Sequence, residues 1–183
     1  STPSNSSAAS DVYKRQPSTY GQTAQSYYGD TYLYRETLYE NSPLSRTVGV
    51  KNPGAVWNAH PKTAAYRCNT AEEVVLFRIS SDGVQRVGRY TPGALYVTRE
   101  TDEDGIWQES FTDKSGRVVM TRQGNGYDTY YIYDDHGRLC YVLPPMAVDG
   151  MHNTGNYPDS HTLLQQYAYL YKYLSLIHIS EPT

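Results

Sequence analysis

The strongest constraint on this chain lies between Thr101 and Pro145, where one pattern occurs twice. Phe111, Asp113, Gly116 and Arg117 correspond to Ile132, Asp134, Gly137 and Arg138, and every pair is offset by the same 21 positions. A fixed offset across four residue types is a register. Each copy reads as a strand that ends in an aspartate, a tight turn at glycine, an arginine and a return strand. Glycine is the residue that enters the left-handed backbone region at no steric cost, so the pattern predicts a repeated β-hairpin.

The punctuation around this stretch is regular. Turn signals fall at Asp82-Gly83, Pro92-Gly93, Asp104-Gly105, Ser115-Gly116, Asn125-Gly126 and His136-Gly137, in steps of 10, 12, 11, 10 and 11 residues. Short strands at that spacing indicate an all-β architecture, and strands too short to bury a face alone must stack on their neighbours. Leu95, Val97 and Arg99 alternate with Tyr96 and Thr98. Leu139, Tyr141 and Leu143 alternate with Cys140 and Val142. A period of two sends one set inward and the other outward.

Composition narrows the function classes. The chain is 38% hydrophobic and 19% charged with a net charge of −3, so a basic surface for nucleic acid is not indicated. It has 20 tyrosines against two phenylalanines, and tyrosine joins high strand propensity to a polar tip that reaches water. That balance suits sheets with one wet face. Cys68 and Cys140 stand outside any metal or disulfide motif. No run approaches the roughly 18 apolar residues that a membrane helix needs.

The two ends carry a separate signal. Asp11–Gln16 (DVYKRQ) can be encoded by GAT GTG TAT AAG AGA CAG, whose reverse complement encodes LSLIHI, the sequence of Leu174–Ile179. Two hexapeptides that are antisense to each other imply one inverted DNA element, and it resembles the mosaic end of transposase library adapters. Residues 1–16 and 174–183 are therefore expected to be adapter-derived and are set aside from fold reasoning. The remainder, Pro17–Tyr173, is expected to be a piece of a longer reading frame.

Within it, residues 17–80 read as a loop-rich N-terminal module with a few strands. Pro17–Asp30 reads as an extended leader or loop, Tyr32–Tyr39 as a strand, and Asn41-Ser42-Pro43 as a turn. Lys51–Thr63 reads as a loop that buries the Trp57 indole, and Asn69 or Thr70 as the cap of a short helical turn. Glu73–Ile79 is β-rich. Residues 81–145 hold the hairpins, which Pro144-Pro145 end because proline cannot donate to a ladder. Residues 146–173 read as a loop, a short helix within Asp159–Gln165, and the start of a further strand at Tyr167, Tyr169, Tyr171 and Tyr173.

Candidate chemistry is sparse. Asp102-Glu103-Asp104-Gly105 has the look of a calcium loop but lacks the further oxygens and flanking helices of a calcium-binding hand; Asp-Gly predicts a type I′ hairpin turn instead. His152, His161, Asp149 and Asp159 match no spacing with a mechanism, nor do His60 and His136. Gly124-Asn125-Gly126 lacks the strand, helix and lysine of a phosphate loop. No catalytic, cofactor or metal residue is proposed from the sequence. Arg117 and Arg138 can pair across their turns with Asp113 and Asp134, a structural role, with anion or sugar binding as the sharper alternative.

FTDKSGRVV and YDDHGRLCYV resemble the YD repeat of the Rhs (rearrangement hotspot) family: Tyr-Asp, a short turn, Gly-Arg and an apolar strand. Tyr133, Asp134, Gly137 and Arg138 match it, whereas the first copy has Thr112 in the tyrosine position. The longer string from PGALYVTRETDEDG through FTDKSGRVV to YDTYYIYDDHGRLCYVLPP resembles the region before the main repeat array in very large Rhs-like proteins, and YENSPLSR, Pro53-Gly54 and Trp57 upstream are similar to the same family's N-terminal module. The resemblance implies successive hairpins of an incomplete YD-repeat shell, secreted or displayed on the cell surface, with the rest of the shell and an enclosed C-terminal toxin domain as partners. Asp113, Gly116, Arg117, Tyr133, Asp134, Gly137 and Arg138 then build the repeat. Self-cleavage in that family depends on an Asp-Pro motif, which this chain lacks, so no enzymatic role transfers. The alternative expectation is a carbohydrate-binding module that uses a tyrosine-rich β face.

Overall fold

The computed structural model describes residues 21–173 apart from Ala24 and Asn125. The adapter-like segments 1–16 and 174–183 lie outside the described residues. The fold is all-β: the described residues form twelve strands in two antiparallel sheets, with a few short helices. The chain divides into two compact units.

The first unit takes the described residues up to Ala64 together with Thr101–Ile106. Strand β1 (Glu36–Tyr39) pairs antiparallel with β2 (Thr47–Lys51), and β2 pairs with the start of β3 (Lys62–Cys68). The β1–β2 turn is closed by Glu40, whose N–H reaches the Arg46 carbonyl at 2.9 Å and whose carboxylate accepts two bonds of 2.8 Å from the Arg46 guanidinium. Two expectations fail in this unit. Residues 25–28 are helical rather than an extended leader. Trp57 lies on a one-turn helix, α1 (Ala55–Ala59), and is 55% exposed. The Asp30 carboxylate accepts the Ala55 N–H at 3.0 Å, so the loop is pinned by a polar cap and needs no buried indole.

The second unit takes Ala65–Glu100 and the described residues from Trp107 onward. Its strands are the end of β3, β4 (Val75–Ser80), β5 (Gly83–Arg89), β6 (Tyr96–Thr101), β7 (Trp107–Thr112), β8 (Val118–Gln123), β9 (Tyr127–Tyr133), β10 (Leu139–Leu143), β11 (Gly155–Pro158) and β12 (Tyr169–Leu170). In its larger sheet the order is β3-β6-β7-β8-β9-β10-β12, and the smaller sheet runs β11-β5-β4. Two short helices, α2 (Pro145–Gly150) and α3 (Thr162–Tyr167), interrupt the chain between β10 and β12.

Register explains the core. Phe111 faces Met120, Met120 faces Tyr130, and Tyr130 faces Leu143, a single row across four strands. All four side chains are buried. Burying each contributes about 1.5–3 kcal/mol, so the row anchors the sheet. The second layer closes over it: Phe77 of β4 meets Tyr130 edge-on at 5.1 Å, and the Val75 N–H donates to the Tyr130 hydroxyl at 3.3 Å.

Ala147–Ser160, expected to be a loop, carries most of α2 and all of β11. β11 pairs with β5 from Gly155 opposite Arg86 to Pro158 opposite Gly83, while Ala147, Met151 and Leu164 enter the core. Neither contact could be anticipated locally, because both partners lie more than sixty residues upstream or on other strands. The Asn69 side chain does not cap a helix. It is buried and pins the loop before β6, accepting from the Leu95 N–H at 2.8 Å and donating to the Thr91 carbonyl at 3.0 Å.

Candidate functional site

The 21-residue repeat folds into two latches with the same set of bonds. In the first, Asp113 Oδ1 accepts the backbone N–H groups of Ser115 (2.8 Å) and Arg117 (2.9 Å), while Oδ2 accepts Arg117 Nε at 2.8 Å. In the second, Asp134 Oδ1 accepts the N–H groups of His136 (3.0 Å) and Arg138 (2.8 Å), and Oδ2 accepts Arg138 Nε at 2.7 Å. An aspartate bonding its own backbone two residues on is an Asx turn. Gly116 (φ 81°) and Gly137 (φ 77°) supply the left-handed residue that closes it.

The same turn occurs a third time. Asp102 Oδ1 accepts the N–H groups of Asp104 (3.0 Å) and Ile106 (2.8 Å), and Gly105 has φ 80°. A type I′ turn needs positive φ at two successive residues, and Asp104 does not have it, so that expectation is corrected. The signal was present as Asp-x-x-Gly. Ile106 in the arginine position hid it.

Each arginine also reaches a tyrosine further along the chain. The Arg117 guanidinium lies 5.3 Å from the centre of the Tyr133 ring, and the Tyr133 hydroxyl donates to the Val118 carbonyl at 2.9 Å. The Arg138 guanidinium lies 5.1 Å from the centre of the Tyr173 ring, and the Tyr173 hydroxyl donates to the Leu139 carbonyl at 2.8 Å. In both, a tyrosine covers an arginine and ties itself to the residue just after it. This hook joins one hairpin to the next strand. Tyr173 was visible only as one of an alternating series.

The protonation states fit a structural role. Burial works against ionising Asp113, yet the Arg117 N–H and guanidinium and the Ser115 N–H outweigh it and hold the carboxyl below its ordinary value. For Asp134 the Arg138 N–H is the chief cause of a shift in the same direction. Both latches are thus carboxylates at neutral pH.

Next to the apolar row runs an ionic one that local reasoning could not find. Glu109 faces Arg122, and Arg122 faces Asp128. Arg122 bonds both Asp128 oxygens at 2.7 and 2.8 Å; Arg67 bonds Glu73 at 2.5 and 2.9 Å and Glu109 at 3.1 Å. Both guanidinium carbons lie 5.6 Å from the centre of the Phe111 ring. Arg67 is the main cause that holds the Glu73 carboxyl down to about 2. Every member of the row has a partner.

The remaining candidates are dispersed into local bonding. His161 Nδ1 accepts the Leu163 N–H at 3.2 Å and caps α3. Asp159 accepts the Tyr141 hydroxyl at 2.5 Å; burial first, and then this carboxylate, push the phenol up. Cys68 and Cys140 are free thiols. Among the described residues no group of three or more His, Cys, Asp or Glu side chains is placed to hold a metal ion. Among them, too, no helix is long and apolar enough to cross a membrane.

A family model described as "Domain of unknown function (DUF6443)" matches residues 1–70. The match covers the N-terminal part and leaves the latches outside it. Neither the curated proteins nor the solved structures gave a match.

Proposed function

We propose that this chain is a structural segment of a secreted or surface-displayed Rhs/YD-repeat shell, with the remainder of the shell and an enclosed C-terminal toxin domain as its partners. The observation that carries this reading is the hook: Arg117, Tyr133 and Val118 are arranged as Arg138, Tyr173 and Leu139 are. A contact that recurs between successive hairpins is what a stack of hairpins needs to grow in register. Each arginine bonds its own aspartate in that geometry, so on this reading the pairs are structural and perform no chemistry. Sequencing the uninterrupted natural reading frame tests it. Further Asp-x-x-Gly-Arg hairpins, each reached by a tyrosine from the strand that follows, are expected; a frame without them defeats the proposal.

The carbohydrate-binding reading is favoured by one observation, the exposure of Tyr127 at 69% and Tyr169 at 63%. Exposed tyrosine faces can stack on sugar rings, and binding on a glycan array that is lost in Tyr127→Ala would prefer this reading to the purely structural one.

A further inference from the structure

β12 carries the same hook as β9 but has, among the described residues, one strand neighbour instead of two. β9 lies between β8 and β10, whereas among the described residues β12 pairs with β10 alone. At the end of β9, Tyr133 hooks the previous arginine, the chain turns at Asp134, and β10 returns along the far side of β9. Tyr173 makes the equivalent hook after β12. The far side of β12 therefore corresponds to the side of β9 that β10 covers.

The backbone there is suitably directed. The Tyr171 N–H donates to the Cys140 carbonyl at 2.8 Å, toward β10. Alternate residues of a strand direct their amides to opposite sides, so the Leu170 amide is turned to the open side. Leu170 itself is 42% exposed.

We infer that the outer edge of β12 is a docking site for one antiparallel strand of the β10 kind, an alternately apolar segment led by an Asp-x-x-Gly-Arg turn. Main-chain bonds to the edge supply affinity, and the alternating side chains supply register. This rests on the shell reading, in which the natural occupant is a further hairpin of the same shell.

The test uses the full 183-residue chain and a labelled peptide of residues 134–143 carrying Cys140→Ser, at millimolar concentration. Binding is expected to slow amide exchange at Leu170 by about tenfold or more. Leu170→Pro removes the outward donor and leaves the Tyr171 bond to β10 intact, so it should abolish peptide anisotropy while circular dichroism is unchanged. Absence of protection, equal binding by Leu170→Pro, or equal binding of a scrambled peptide overturns the inference, as does self-association that blocks the edge first. A natural frame without hairpins would defeat the shell reading and leave the peptide result standing; a failed peptide beside a hairpin-rich frame would defeat the edge site alone.

Discussion

The Tyr133 hydroxyl donates to the Val118 carbonyl across 2.9 Å while its ring covers the Arg117 guanidinium. One side chain thus ties the end of β9 to the first residue of β8 beyond the preceding latch. Tyr133→Phe keeps the ring and removes the hydroxyl, and should cost about 1 kcal/mol, the net worth of an ordinary hydrogen bond. Tyr173→Phe should cost less, because Tyr173 is 49% exposed and water can replace it. Urea midpoints of the two variants check the order; an equal loss would contradict it.

Gly116 and Gly137 hold φ of 81° and 77°, a region that L side chains rarely enter. Alanine at either position is expected to cost about 1 kcal/mol, and asparagine less. An alanine methyl at Gly137 would meet the Arg117 Nη1 at 3.5 Å, an ordinary contact, so the two glycines should be equally sensitive. Thermal midpoints of the alanine and asparagine pairs measure this.

These turns were legible in the sequence because everything they need is local: an aspartate, a glycine three residues on, and an arginine next to it. The alternation that leads into β6 and runs through β10 was legible for the same reason. The ionic row was not, since Glu109, Arg122 and Asp128 meet only through strand register, and nothing in their spacing announces it. Ala147–Ser160 read as a loop because it is rich in Gly, Asn, Asp and His, and the strand that β11 pairs with, β5, lies far away in the chain. Trp57 misled in the opposite direction, since an indole in a Pro-Gly loop need not be covered.

Stability should fall in acid within a defined window. Arg67, followed by the Thr70 groups, holds the Glu73 carboxyl at about 2, against an ordinary value of about 4.3 when unfolded. A depressed carboxylate contributes stability that is fully present above its unfolded value and is lost as pH falls through the folded one. The loss should therefore develop between about pH 4.5 and pH 2 and amount to about 1–2 kcal/mol after screening by solvent. Asp113, also lowered, adds in the same direction. Glu73→Gln should flatten this part of a stability-against-pH curve measured by urea denaturation; a curve unchanged by the substitution would refute the assignment.

Arg122 joins Asp128, Glu73 and the Phe111 ring. Arg122→Ala strands acidic groups beside the core and should cost about 2–4 kcal/mol. Asp128→Ala in that background should add little, because the pair acts as a unit. Arg122→Lys keeps the charge but loses the two-pronged bond to Asp128, and should fall between wild type and alanine. A double-mutant cycle by chemical denaturation gives the coupling, and strict additivity would show that the row is not a unit.

Gly83 is required by the strand that lies beside it. The Ser80-to-Gly83 hairpin closes β4 onto β5, and β11 crosses so close that an added Cβ would sit 2.2 Å from the Tyr157 carbonyl oxygen and 2.8 Å from Pro158 Cα. Both obstacles are backbone, so neither can rotate away. Gly83→Ala must therefore displace β11, along with the Asp159 N–H bond to the Asp82 carbonyl (2.7 Å) and the Asn156 bond to the Asp82 carboxylate (2.8 Å). The expected cost is about 2–4 kcal/mol, in the range of severe core disruptions. Hydrogen exchange should quicken first at Gly155–Pro158 and around Met151, whose carbonyl accepts from Arg86, while the β7–β8 hairpin keeps its protection. Uniform acceleration across both sheets would mean instead that β11 is not a separable layer, because the latches, hooks and apolar row would then be failing together.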